Sequence, residues 1–135
     1  MVSAKQKGLF VLRLGLGVFL LLWAIDKLVA SDKTVKIFEM FYKLPIGGSV
    51  PYIIGGLELI LALAIIIGLW KRFSYGIGLL LHFISTASTW KQLLNPFGQN
   101  HLFIAALPVL AGFIALYLLR DEDTWLAVSK KKNKR

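Results

Sequence analysis

Apolar residues fall into four blocks, 8–30, 51–70, 73–90 and 101–119, and the charged residues gather mainly between and beyond them. Each block approaches the roughly 20 residues a helix needs to cross the hydrocarbon of a bilayer. The pattern predicts an all-α, polytopic membrane protein, a four-transmembrane-helix bundle. Only Lys71 and Arg72 separate the second and third blocks, so those helices form an antiparallel hairpin. The first block exceeds the roughly 7–15 residues of a signal-peptide core, which predicts a retained helix. Between the first two blocks, Ile37, Phe38, Phe41 and Leu44 recur at helical spacing, opposite Lys36, Glu39 and Lys43. This amphipathic stretch, 33–45, is too short to span, and it predicts a short interfacial helix between helices 1 and 2 on the outer surface.

Composition strengthens this picture. Hydrophobic residues make up 57% of the chain and the mean hydropathy is +0.70, well above ordinary soluble domains. No cysteine is present, which excludes disulfides, thiolate metal sites and dithiol redox chemistry. The net charge of +9 reflects basic residues at segment ends, without the basic groove and aromatic platforms of a nucleic-acid binder, so no nucleic-acid partner is expected.

Eleven of the 16 basic residues lie on one side if the N-terminus is inside, a bias that sets orientation because Lys and Arg near helix ends resist translocation. The expected layout is a cytoplasmic N-terminus (1–7), a membrane domain (8–119) and a basic cytoplasmic tail (120–135), in a bacterial cytoplasmic membrane. The run 129–135 is read as a solvated topology anchor, with recognition of anionic lipid as its alternative. Trp70, Trp90, Trp125, Tyr52 and Tyr75 stand near the predicted interfaces, as an aromatic belt would.

Within a bilayer, small and polar residues mark the packed helix faces. Block three carries such a stripe at Ser74, Gly78, His82, Ser85 and Thr89, and block four at His101, Ala105, Pro108, Gly112 and Ala115. Block two offers Gly55, Glu58 and Ala62, and block one Gly15, Phe19, Trp23 and Asp26. Pro108, which has no amide hydrogen, is expected to kink its span.

Ionisable groups cost at least about 2.5–3.5 kcal/mol at the bilayer centre and therefore need partners or water. At about 1.5 Å per residue, Asp26, Glu58 and His82 lie roughly 6, 10 and 12 Å below the outer helix ends. His101 falls at the outer boundary. Asp26, Lys27, Glu58, His82, Ser85 and His101 thus form a candidate polar pocket in the outer half of the bundle. Glu58 is expected either to pair with Lys27 or to hydrogen-bond His82, an acid–imidazole arrangement able to relay protons. No spacing motif for a metal ion is present. Arg13, in the inner half, is a structural charge that snorkels or meets Asp121, Glu122 or Asp123.

Four short elements carry a family resemblance: Arg13-Leu14-Gly15, Trp23-x-x-Asp26-Lys27-Leu28, Gly55-Gly56-Leu57-Glu58-Leu59 and Gly68-Leu69-Trp70-Lys71-Arg72. Together they resemble the DoxX-like family of four-helix membrane proteins, over 8–119. The resemblance implies a four-helix bundle and, as in some relatives, a membrane subunit of a thiosulfate:quinone oxidoreductase. It picks out Arg13, Lys27 and Glu58; quinone enters as a cofactor by resemblance alone. Three functions follow as expectations: a redox-associated, quinone-linked subunit with a membrane-protein partner, a small-solute transporter or channel, and a non-catalytic assembly partner. Whether the chain is an enzyme is left open by its residues.

Overall fold

A computed structural model describes residues 1–129; the lysine-rich run of the expected tail, 130–135, lies outside the described residues. The described chain is all-α. In order come α1 (Ala4–Val29), α2 (Ser31–Tyr42), α3 (Val50–Ile67), α4 (Lys71–Ser88), the short α5 (Trp90–Leu94), and a 3₁₀ helix (Gly98–Ala105) that runs into α6 (Ala106–Leu118).

Local chemistry sets these boundaries. Ser3 caps α1: its Oγ accepts from the Gln6 amide at 3.1 Å while Gln6 Oε1 accepts from the Ser3 amide at 3.3 Å, a reciprocal capping box. Pro51 sits in the first turn of α3, where its missing N–H would have no intrahelical partner anyway. Gly68, at φ +69°, ends α3. The Leu69 amide then donates to the Ala64 carbonyl at 2.9 Å, so the tight connection is made at 68–70, and Lys71 and Arg72 open α4 instead of forming the turn. Pro108 lies in the first turn of α6, where the chain changes from 3₁₀ to α geometry; with no amide hydrogen it cannot continue the ladder of bonds across that junction.

Three helices, Ala4–Val29, Val50–Ile67 and Gly98–Leu118, are long and apolar enough to cross a membrane. Between 11 and 33% of the residues in their apolar windows are buried, so most of that surface faces outward, as hydrocarbon solvation requires. The fourth expected span differs in character. α4 has 18 residues, but Lys71, Arg72, His82 and its serines and threonines make it less apolar.

The helices associate as two close pairs. α1 lies antiparallel on α3 along a seam of small residues, since a Cβ on Gly17 would sit 2.5 Å from Ile66 Cγ1, and one on Gly55 would sit 3.1 Å from the Ala24 carbonyl oxygen. Such close backbone approach is how helices gain packing energy in lipid. α4 lies against α6, and a core of Leu9, Leu16, Leu20, Ala62, Ile65, Tyr75, Phe113 and Leu116 joins the pairs. The inward face of α4 carries Ser74, Tyr75, Gly78, His82 and Thr86. The expected stripe continued from His82 to Ser85; the helix instead turns Thr86 inward and leaves Ser85 exposed. Either offset lies near the His82 face of a 3.6-residue helix, and Thr86 Oγ1 donates to the His82 carbonyl at 2.7 Å.

Candidate functional site

The outer polar centre is an ion pair between α1 and α3. Lys27 Nζ lies 2.7 Å from Glu58 Oε2, with side chains 16% and 8% exposed. Side chains of a helix lean toward its N-terminus, so Lys27, near the end of α1, reaches back to the level at which the antiparallel α3 presents Glu58. Trp23 sits beside it, with Lys27 Nζ and Lys33 Nζ each 5.7 Å from its ring centroid. Asp26 pairs instead with Lys33, in the first turn of α2, at 3.1 Å.

His82 takes a different partner. Its Nε2 lies 2.9 Å from the Ala106 carbonyl oxygen. A carbonyl only accepts, so Nε2 carries the proton and, in the neutral ring, Nδ1 is the acceptor. The imidazole lies between the Phe19 ring, edge-on at 5.5 Å, and the Phe113 ring, stacked at 5.6 Å. Glu58 and His82 therefore each have their own partner, and no hydrogen bond joins them. Ser85 and His101 are exposed, the latter with Nδ1 3.2 Å from the Pro96 carbonyl. Of the six candidate residues, the structure joins Lys27 to Glu58, buries His82, and leaves Asp26, Ser85 and His101 apart.

A second polar centre lies at the opposite end of the bundle. Arg13 and Asp123 are both fully buried, with Nη1 3.1 Å from Oδ1. Arg13 Nη2 donates to the carbonyls of Trp125 and Leu126 at 3.1 and 2.9 Å. Tyr75 donates to Asp123 Oδ2 at 2.5 Å, and Lys71 Nζ donates to the Asp123 carbonyl at 2.7 Å. Residues 120–129 are thus folded back onto the helices: Val128 and Ser129 amides donate to the Ile67 and Gly68 carbonyls at 2.9 and 3.0 Å. Tyr75 belongs to this buried network and not to an interfacial belt. The sequence offered Asp123 as one of three acids open to Arg13, and placed Tyr75 in an aromatic belt, which its full burial corrects. The available signal was its place next to Ser74 on the inward stripe.

With both centres placed, the comparison with known families is informative. A family model, DoxX, matches residues 8–90. The chain belongs to the DoxX family. It is accordingly an integral membrane protein, in agreement with its outward-facing apolar helices. Searches of curated proteins and of solved structures give no match. Within this DoxX chain the matched segment holds Arg13, Lys27, Glu58, Tyr75 and His82, whereas His101 and Asp123 fall beyond it. Concavities are also present on the surface of the described residues. One, of about 440 Å³, is an apolar groove between α1 and α6 lined by Leu12, Gly15, Phe19, Pro108, Val109 and Gly112 among others. Another, of about 650 Å³, lies on α2 among Lys36, Glu39, Met40, Lys43 and Pro45. Among the described residues, no three His, Asp or Glu side chains converge as a metal site.

Proposed function

We propose that this DoxX protein is a redox-associated, quinone-linked subunit of the bacterial cytoplasmic membrane, with four spans, both termini cytoplasmic and α2 lying in the outer interface. α4 is the fourth span. Its length of 18 residues gives about 27 Å of helix, and Lys71, Ser74, Tyr75, His82 and Thr86 face the bundle while Arg72 and Ser85 do not.

The observation that carries the quinone reading is the setting of His82. This histidine is 7% exposed at membrane depth, and Phe19, which meets its ring edge, also lines the apolar groove between α1 and α6. The groove's lining suits an isoprenoid tail, and its entrance faces lipid, where such a molecule is dissolved. With Nε2–H committed to the Ala106 carbonyl, Nδ1 is an acceptor suited to the hydroxyl of a quinol rather than to the carbonyl of a quinone. His82 would hold the reduced headgroup and take up one of its two hydroxyl protons at Nδ1, and Phe19 separates that imidazole from lipid. A quinol held there would be a source of two electrons for a partner subunit and of two protons, of which the imidazole takes one. Lys27 and Glu58 fix α1 against α3 and keep the outer end of the bundle in register.

The test is detergent extraction followed by quantification of co-purified quinone, with melting curves in added quinol. A rise in melting temperature that is lost in His82→Phe is expected. Repeated preparations free of quinone, together with unchanged melting, would remove the basis for this reading.

A further inference from the structure

The centre around Arg13 is built from donors on two helices that converge on one acidic residue, Arg13 and Tyr75 on its carboxylate and Lys71 on its backbone carbonyl. Arg13 comes from α1, Lys71 and Tyr75 from α4, and all three bind Asp123, in the non-helical segment after α6. Apolar packing holds that segment at two points, the Trp125 ring edge-on to Phe10 at 5.1 Å and the buried Ala127. Leu126 and Val128 are each 62% exposed. Leu126, whose carbonyl accepts from Arg13, has a left-handed backbone at φ 54°, a conformation disfavoured for a residue with a Cβ.

The donors also outnumber what the segment offers them. A guanidinium carries five N–H donors. Arg13 uses Nη1 and Nη2, but its Nε is buried without a hydrogen-bond partner. An unmet buried donor is costly, and a carboxylate, already shared with Tyr75, leaves this one unmet. An anion with three or four acceptor oxygens matches the donor set better.

We infer that Arg13, Tyr75 and Lys71 form an oxyanion-binding site whose internal occupant is the Asp123 carboxylate. Residues 120–129 are a strap that a phosphate-type anion displaces. The exposed contacts of the strap, Lys5 to Glu122 at 2.8 Å and Gln6 to Thr124 at 3.1 Å, break as it leaves. The ligand chemistry is that of a phosphate oxyanion, supplied either as the free ion or as a lipid headgroup of the adjoining leaflet.

The full chain has no cysteine, so Ala127→Cys introduces a single reporter thiol at the buried point of the strap. The protein is placed in phosphatidylcholine nanodiscs, and the rate of maleimide labelling is followed in inorganic phosphate against chloride of equal ionic strength. A second arm replaces the added phosphate with phosphatidic acid in the disc. The labelling rate is expected to rise about tenfold at ten times the dissociation constant, because the open population scales with one plus the ligand ratio. Arg13→Gln in the same background abolishes the dependence. A response to free phosphate identifies the ion as the source, and a response to phosphatidic acid alone identifies the headgroup. Ser129→Cys serves as a second reporter if Ala127→Cys disturbs the fold. Asp123→Asn lowers the half-saturating phosphate concentration about tenfold, since a neutral acceptor replaces a charge-assisted one. Flat rates at both reporters in both arms, an equal rise with chloride, a rise that survives Arg13→Gln, or an unchanged half-saturation in Asp123→Asn each overturns the inference.

Discussion

Separating Lys27 from Glu58 should be among the most damaging single changes in the outer half of the protein. At 2.7 Å and an effective dielectric near 20, the gross attraction of the two charges is about 6 kcal/mol. Desolvation offsets much of that, so the informative quantity is what remains when one partner is lost. Lys27→Met leaves a carboxylate 8% exposed with no counter-charge, and Glu58→Gln leaves an ammonium. Breaking a buried pair in this way costs about 3–5 kcal/mol, whereas replacing both members together is commonly close to neutral. Lys27 stands near a helix end and can redirect its ammonium toward the headgroups, so Glu58→Gln should cost less than Lys27→Met. The double variant should lie within about 1 kcal/mol of the parent. A double-mutant cycle, measured by unfolding in mixed micelles with increasing dodecyl sulfate, reads the coupling directly. We expect at least about 2 kcal/mol, against the roughly 0.6 kcal/mol average for polar contacts between membrane helices. A coupling below about 1 kcal/mol, with additive single costs, is the behaviour of a solvated pair and would refute a desolvated contact between α1 and α3.

Two further outcomes follow from the close approaches. Gly17→Val should destabilise by about 1–3 kcal/mol, because the added Cβ would sit 2.5 Å from Ile66 Cγ1 and 3.2 Å from the Ile66 backbone nitrogen; Gly56→Ala, with nothing within 4 Å, is the matched control in thermal unfolding. Gly68→Ala should cost about 1–2 kcal/mol for the left-handed backbone alone and, with its Cβ 2.7 Å from Ala127 Cβ and 2.8 Å from Arg13 Nη1, should increase proteolysis within 120–129.

How much of this was legible in the sequence depended on the kind of signal. Apolar blocks announced the long helices because hydrocarbon solvation leaves a run of residues with little ambiguity of period. The spacing of Ile37, Phe38 and Phe41 likewise fell on an observed helix, α2. Helix ends were less legible. The turn between α3 and α4 follows Gly68, whose φ of +69° is a backbone property, whereas charge at Lys71 and Arg72 suggested a connection two residues later. Rotation about the helix axis was harder still, since one step from Ser85 to Thr86 decides which hydroxyl is buried, and both continue the His82 stripe. For Glu58 the residues left two partners open, and the lean of Lys27 along α1 selects one. The Arg13 network was the least legible part. Its acceptor, Asp123, comes from a polar stretch with no periodicity, 110 positions away in sequence, and only tertiary folding brings it to α1.

The two polar centres share α1 but cannot communicate through a chain of polar groups. Arg13 and Lys27 are about 21 Å apart along the helix axis, and Leu16, Leu20, Ile65 and Phe113 lie buried between them, with His82 packed against Phe113 and bonded to the Ala106 carbonyl. An ion would have to cross those apolar side chains, which weighs against an ion channel through the bundle. Mechanical connection is easier to see. The Gly17 and Gly55 contacts make α1 and α3 one tight unit, and the strap bonds to both members through Arg13, Ile67 and Gly68. It also bonds to α4 through Lys71 and Tyr75, so it ties the two helix pairs together at one end. The groove holding Phe19 runs between α1 and α6, one member from each pair. On the displacement inferred for the strap, the α1–α3 and α4–α6 pairs lose this polar tie at the end of the bundle, while the groove beside His82 stays bounded by one helix of each pair.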